Sequence, residues 1–300
     1  LCAIAQGSDG AGSLRGPAFL TGLYTIKGSR GRVSFAPVGE RLEGMAINGP
    51  LGRTVADTAA LLDAISGYVT GDPYWLPEPE SGFVAHVRSP AAPLRIGYTT
   101  QIPPIGAAAP VCAQAVTDTV QRLADLGHSV EAFELPDLAN LIEPFVSVWQ
   151  SIVVESGVPW FVMEKMNRWL YWRARFVHSG HYLRQVSKLQ QEARKIVASC
   201  QPYDAVVLPV YMHPAIQVGE WKQLRPKPTL EKLINWVAPC PPFSASGQPA
   251  MAIPTGLDGN GVPIGVQLVG RPADETTLFA LAAQLEKAYP WQGRPPLAVG

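Results

Sequence analysis

Charged residues are scarce in this chain, and neither sign is in excess. They make up 16% of the 300 residues, against about 25% in an average globular protein. Lys plus Arg and Asp plus Glu number 24 each, so the formal net charge is zero. A disordered protein combines low hydrophobicity with high net charge, and a nucleic-acid-binding protein usually carries a basic surplus. The balance excludes a charge-driven or disordered protein and favours a neutral or small partner.

Cysteine is also rare, and its spacing excludes two kinds of stabilising site. Cys2, Cys112, Cys200 and Cys240 are far apart and form no C-x-x-C pair, so neither a disulfide framework nor a zinc site is expected. We interpret them as buried free thiols in a reducing compartment. No apolar run approaches the length of a membrane span, and no signal peptide is visible. The expected location is the cytoplasm, subject to any sequence that precedes Leu1.

Glycine and proline, by contrast, are abundant. Their 28 and 29 copies exceed the roughly one residue in eight expected for the two together, so loops and turns must be numerous. The apolar fraction of 47% is ordinary and gives a chain of this length enough material for a substantial core. Because the first residue is Leu1 and not Met, we expect the chain to be a fragment of a longer protein.

Strand-like and helical segments alternate along the sequence. Strands are predicted at 1–5, 94–98, 129–133, 203–210, 250–254 and 264–269, with a turn at 258–261 between the last two. Helices are predicted from 54 to 67, 110 to 126, 137 to 199 with breaks near Pro159 and Gly180, and 274 to 289. Segments 71–93 and 221–242 are proline-rich and are predicted as irregular connections. The strand, helix, strand succession between 94 and 133 indicates an α/β sheet with crossover connections.

The helical region from 137 to 199 contains four of the eight tryptophans. They are Trp149, Trp160, Trp169 and Trp172. Two interpretations are open, packing of helices against the sheet and an aromatic wall around a substrate pocket. Packing is favoured, because aromatic side chains dominate protein cores in general.

The segment from Gly7 to Gly16 is the densest motif in the chain. It lacks the lysine of a P-loop, has Arg15 at the third glycine of a dinucleotide fingerprint, and contains no G-x-S-x-G elbow. Its small residues allow several backbone N–H groups to converge on an oxyanion, which makes Ser13 a candidate nucleophile. No histidine is nominated as its partner, and His178 with His181 is interpreted as a solvated or hydrogen-bonded pair without metal. The residues alone also leave open a turn without chemistry.

Residues 7–18, GSDGAGSLRGPA, resemble the G-[ST]-D-x-[GA]-G-S-[IL]-R-x-P-A core of the amidase signature family. Four further segments resemble other motifs of that family in the same order: 22–34, 49–57, 243–250 and 265–270. The resemblance implies an α/β fold with a mixed central β-sheet covered by α-helices on both faces. It also implies that 1–300 is a single domain that lacks its N-terminal portion.

The resemblance implies a role for each residue of the loop. Ser13 would attack an amide carbonyl and form an acyl-enzyme, and Asp9 and Arg15 would support the loop. The backbone N–H groups implied to bind the oxyanion are those of Gly10, Ala11, Gly12 and Ser13. Neither metal nor cofactor is expected. The implied partner is a small linear amide, with no nucleic acid and no membrane, and association with further copies of the chain is compatible with this picture.

The sequence departs from the family pattern in one decisive respect. In the family a lysine and a second serine, in a cis peptide linkage, activate the nucleophile, and the matching segments would lie upstream of Leu1. None of the eight lysines takes that place, and Lys27 is interpreted as structural. Thr25 and Gly28 also differ from the family pattern, which puts the local loop shape in question.

Three functions therefore remain open. The first is an amidase that is inactive as this fragment. The second is the glutaminase subunit of a tRNA-dependent amidotransferase, and the third is a non-catalytic fragment or binding module.

Overall fold

The computed structural model describes residues 2–89 and 91–291. Eight strands form one mixed sheet in the order β1-β3-β2-β9-β10-β8-β4-β7, and β5 and β6 form a separate pair. The strands are β1 (Ala5–Asp9), β2 (Tyr24–Lys27), β3 (Ile47–Gly52), β4 (Arg95–Tyr98), β5 (Gln101–Ile102), β6 (Gly106–Ala107), β7 (Ser129–Ala132), β8 (Ala205–Pro209), β9 (Ala250–Leu257) and β10 (Pro263–Gly270). The predicted α/β class with a mixed sheet is confirmed.

The described part of the chain contains ten α-helices. They are α1 (Arg15–Thr21), α2 (Val55–Ile65), α3 (Gly82–Arg88), α4 (Pro110–Asp125), α5 (Ala139–Glu155), α6 (Lys165–Arg175), α7 (Ser179–Cys200), α8 (Pro226–Val237), α9 (Pro241–Ser246) and α10 (Glu275–Ala288). Single 3-10 turns lie at Leu42–Gly44 and Trp160–Val162. Among the described residues, no helix is both long enough and apolar enough to cross a bilayer.

The sheet has an antiparallel part and a parallel part, and local sequence accounts for both. Strands β9 and β10 pair antiparallel around the predicted turn, where the Asp258 carboxylate accepts the N–H groups of Asn260 and Val262. Strand β4 pairs parallel with β7 through the crossover helix α4, as a parallel connection requires. Every residue of β8 is buried, which explains its unbroken apolar sequence.

Two helices begin where side-chain caps predict them. The Thr54 hydroxyl accepts the N–H of Asp57 at the start of α2, and the Asp274 carboxylate accepts the N–H of Thr277 at the start of α10. Such caps satisfy backbone donors that have no partner inside the helix. Both predicted helices are confirmed.

Two predicted connections are wrong. The 71–93 segment contains α3, which is held by Phe83 against Phe279 with ring centroids 5.5 Å apart. The 221–242 segment contains α8 and the start of α9, because Pro226 and Pro241 occupy the first helical position, where proline needs no N–H partner. The break predicted near Gly180 is confirmed, because α6 ends at Arg175 and α7 begins at Ser179.

The first predicted strand is also displaced. It was expected at 1–5, but β1 covers Ala5–Asp9 and starts exposed, and Leu1 lies outside the described residues. The glycines at 7 and 10 therefore belong to different structures, one to the strand and the other to the loop that follows it. The consequence is a shorter loop than the sequence predicts, from residue 10 to residue 14.

The buried-thiol and tryptophan-packing predictions hold only in part. Cys112, Cys200 and Cys240 are buried free thiols, but Cys2 is exposed. Trp160 and Trp172 are 42% and 43% exposed, so packing against the sheet is the wrong interpretation for them.

Candidate active site

The glycine-rich loop connects the end of β1 to the start of α1 and presents Ser13 at the surface. Gly12 within it has a φ of +115°, a conformation that side chains disfavour. A Cβ added there would lie 2.9 Å from the Cβ of Cys240. Glycine is thus required at this position both by its backbone and by the close approach of α9.

The loop is folded around the carboxylate of Asp9, which is fully buried. Its Oδ1 accepts the N–H of Gly12 at 2.6 Å, and its Oδ2 accepts the N–H groups of Leu14 at 3.2 Å and Arg15 at 3.3 Å. Three backbone donors on both sides of Ser13 therefore converge on one side chain. The backbone that carries Ser13 is fixed from below by this carboxylate.

Arg15 ties the loop to distant parts of the fold. Its Nε and Nη2 donate to the two oxygens of Asp9, both at 2.9 Å. Its Nη1 donates to Gln267 Oε1 at 2.6 Å and to the Cys240 carbonyl at 3.0 Å, and Nη2 also donates to Ser244 Oγ at 2.9 Å. The guanidinium is fully buried. We call Asp9, Arg15, Ser244, Gln267 and the Cys240 carbonyl the bracing network.

Both charges of the network persist in the folded state. Burial by itself would raise the pKa of Asp9, but the charge of Arg15 and the hydrogen bonds from Arg15 and Gly12 outweigh it and bring the pKa to about 2. Burial would likewise lower the pKa of Arg15, and the carboxylate of Asp9 instead raises it above its ordinary value. Removing one partner of such a pair leaves an uncompensated buried charge.

Lys27, at the end of β2, is also fully buried. Its Nζ donates to the Gly28 carbonyl at 2.8 Å. Burial, together with the positive charge of Arg15, lowers its pKa to about 7, so protonated and neutral forms coexist near neutral pH. Among the described residues, Lys27 makes no hydrogen bond to Ser13, and its interpretation as a structural residue stays a prediction.

The loop amides differ in their availability. Gly12 N–H, one of the four predicted oxyanion donors, is engaged by Asp9 and does not face the open side of the loop in this conformation. The N–H groups of Gly10, Ala11 and Ser13 have no acceptor within the described ranges. The presence of Asp9 in the sequence could have indicated that the N–H of Gly12 is engaged. An Asp side chain commonly accepts a backbone N–H a few residues ahead of it.

An apolar cavity opens beside the loop, at Ala11. It holds about 660 Å³ of empty space, part of it open to solvent. Its walls come from α5, α8, the start of α9 and the segment 102–105. Trp149 of α5 lines it and also packs against the hydrophobic core. Within 2–89 and 91–291, no three His, Cys, Asp or Glu side chains are grouped closely enough to hold a metal ion.

Sequence reasoning named Asp9, Arg15 and Ser13 but missed Gln267 and Ser244. These two follow the loop by more than two hundred residues, so no local spacing connects them to it. Both residues lie in segments that resemble family motifs, and this resemblance is the only sequence signal that points to them. The segment 221–242, predicted as an irregular connection, does contribute walls of the cavity, but as helix α8 and the start of α9.

Comparison with known proteins identifies the family. The family profile described as Amidase matches residues 1–279. A Synechocystis sp. protein named "Putative amidase" is 44% identical over 296 residues, which are 99% of this chain and 57% of that protein. The 6-aminohexanoate-cyclic-dimer hydrolase of Paenarthrobacter ureafaciens is 31% identical over 99% of this chain and 65% of its own length. The chain thus spans less than two thirds of these relatives.

Solved structures show the same relationship. A structure of 6-aminohexanoate cyclic dimer hydrolase superposes with a TM-score of 0.91 at 30% identity, covering 98% of this chain and 66% of that one. The solved subunit of glutamyl-tRNA(Gln) amidotransferase from Thermotoga maritima shares the fold, with a TM-score of 0.78 at 24% identity over 98% of this chain and 65% of that one. The chain therefore belongs to the amidase family, as the resemblance of its glycine-rich segment to the amidase signature predicted.

Proposed function

We propose that this chain carries the nucleophile of an amidohydrolase that cleaves the C–N bond of a linear carboxamide. The observation that carries the proposal is the placement of Ser13. It is exposed on a loop whose backbone is fixed by the buried Asp9 carboxylate. A nucleophile needs this combination of access and fixed geometry, because small displacements from the productive position cost large factors in rate.

The reaction divides into two steps. The Ser13 Oγ adds to the amide carbonyl carbon, and the oxyanion that develops is bound by the N–H groups of Ala11 and Ser13, with Gly10 as a further donor. Collapse of this intermediate breaks the C–N bond, and the leaving nitrogen takes a proton. Water then attacks the ester, releases the carboxylic acid and returns the proton to Ser13.

Activation of Ser13 requires a base that takes its proton. The family resemblance assigns this role to a lysine and a second serine that the 300 residues do not match. Lys27 has a pKa near neutrality, but its Nζ is bonded to Gly28. We therefore assign Lys27 no proton transfer, and we expect this chain by itself to acylate slowly.

The names of the relatives support an amide substrate. The Synechocystis sp. relative is named a putative amidase, and the Paenarthrobacter ureafaciens enzyme is named for hydrolysis of a cyclic dimer of 6-aminohexanoate. The bracing network supports the same proposal, since it fixes the loop without occupying the N–H groups of Ala11 and Ser13.

The test is covalent labelling of the protein expressed from its complete reading frame. A fluorophosphonate probe loses fluoride when a serine Oγ attacks its phosphorus. We expect the adduct on Ser13, located by fragmentation of the labelled peptide, and we expect hexanamide to yield hexanoate. Ser13→Ala should abolish both.

Ser8→Ala is the matched control, because Ser8 is an exposed serine on the adjoining strand β1. It should label like the unsubstituted protein. Labelling that survives in Ser13→Ala, or an adduct found only at another serine, would show that Ser13 is not the nucleophile.

A further inference from the structure

The cavity beside the loop has a wall of one chemical character. Every side chain that lines it is apolar, and the indole N–H of Trp149 is the only polar side-chain group among these lining residues. The residues that define its outline are Ala11, Ile105, Phe145, Trp149, Ile234 and Pro241. A ligand group that enters the cavity loses its hydration shell and finds no ion-pair partner there. Transfer from water is therefore favourable only for uncharged apolar groups.

We propose that this cavity binds an uncharged aliphatic or aromatic substituent of the substrate amide, and that it thereby selects apolar amides over glutamine. The inference rests on the proposed function of Ser13, since it names the substrates that Ser13 acts on. Ala11 connects the two, because it lines the cavity and its N–H has no acceptor in the described chain.

The walls come mainly from regular helices. Helix α5 contributes Phe145 and Trp149, and helix α8 contributes Leu230 and Ile234. Phe145 and Leu230 are themselves buried, at 6% and 7% exposure. A cavity built on packed helices keeps its shape better than one built on loops, so the length and bulk of a substituent should be discriminated.

Glutamine is the substrate that this surface disfavours most clearly. Its ammonium and carboxylate are separated from the amide by a short aliphatic chain, so placing the amide at Ala11 brings both charges to the cavity. No lining side chain within the described residues carries an opposite charge to receive them. A charge transferred to an apolar site without a partner is strongly unfavourable. The cavity therefore opposes the glutaminase alternative.

The experiment measures binding separately from catalysis. The protein from the complete reading frame, carrying Ser13→Ala to prevent turnover, is titrated calorimetrically with butanamide, hexanamide, octanamide and glutamine. We expect the affinity to rise about fourfold per added methylene, and we expect no detectable binding of glutamine. N-butylacetamide and N-octylacetamide form a second series with the chain on the nitrogen. A gain in affinity with chain length in this series, and not from butanamide to octanamide, would place the substituent of the amine side in the cavity.

Two cavity variants separate shape from polarity, and one surface variant serves as the control. Ile234→Asn introduces an amide into the wall and should reduce the gain per methylene to less than twofold. Ala238→Leu fills the cavity and should weaken octanamide at least tenfold while butanamide changes little. Val218→Asn places the same amide on a fully exposed valine and should leave every affinity unchanged. Circular dichroism verifies that each variant folds.

The outcomes for binding and for catalysis are distinguishable. Affinity that is independent of chain length in both amide series, or glutamine binding as tight as that of hexanamide, overturns the substrate assignment even when Ser13 is labelled. A chain-length dependence without labelling of Ser13 overturns the proposed function and leaves the cavity as an apolar ligand site.

Discussion

The two sides of the nucleophile loop are built from opposite chemistry. Beneath it, the bracing network is charged, fully buried and linked to strand β10 and helix α9 by hydrogen bonds. Beside it, the cavity at Ala11 is apolar and partly open. Directional bonds fix a backbone in one geometry, whereas an apolar surface accepts any group of suitable size. The difference indicates that one side sets the position of Ser13 and the other the choice of ligand.

The largest effect that this division predicts is on stability. Asp9→Asn keeps the shape of the side chain but leaves the buried Arg15 guanidinium without a counter-charge. We expect the free energy of unfolding to fall by about 3 to 5 kcal/mol, measured by urea denaturation followed by circular dichroism.

Glu131→Gln is the control for that loss. It removes the carboxylate of an exposed ion pair with Arg95, where water already screens the charges. A decrease for Asp9→Asn no larger than that for Glu131→Gln would contradict the structural importance of the network.

The next largest effect is a dependence of the free energy of unfolding on pH, which comes from Lys27. Its pKa is about 7 in the folded protein, against an ordinary value of 10.5, so between these values unfolding takes up a proton. Stability should therefore rise with pH from about 7 to about 8.5, by at most about 1.4 kcal/mol per pH unit. Above that window the buried thiol of Cys240, whose pKa burial raises to about 12, acts in the opposite direction.

Lys27→Met should remove this slope, and urea denaturation at several pH values measures it. Lys188→Met changes an exposed lysine on α7 and should preserve the slope of the unsubstituted chain. A slope that persists unchanged in Lys27→Met would show that another group causes it.

Local sequence predicted those parts of the fold that short-range interactions determine. The helices that begin after Thr54 and Asp274 have side-chain caps, and the β9–β10 hairpin has a turn organised by Asp258. The sequence does not predict helix α8, because a proline-rich segment favours irregular structure. Proline is nevertheless compatible with the first helical position, where its missing N–H would have no partner inside the helix. The exposure of Trp160 could not be predicted, since burial depends on which elements meet in space.

The candidate site divides in the same way. Asp9, Ser13 and Arg15 lie within one loop, so the family motif singles them out together. Gln267 and Ser244 reach Arg15 only through the assembled sheet and helix α9. The engagement of Gly12 N–H by Asp9 is likewise a matter of backbone direction, which residue types alone do not determine.

The smallest expected effect on stability belongs to the cavity, and it sharpens the contrast between the two sides. Ile234→Val removes one methylene from a partly buried wall residue. Because the group already borders empty space, we expect the free energy of unfolding to change by no more than about 1 kcal/mol, measured in urea. Octanamide affinity should nevertheless fall about threefold, since the lost methylene no longer contacts the ligand. If stability fell as far as in Asp9→Asn, the cavity wall would be part of the support of the loop, and the separation of positioning from selection would be wrong.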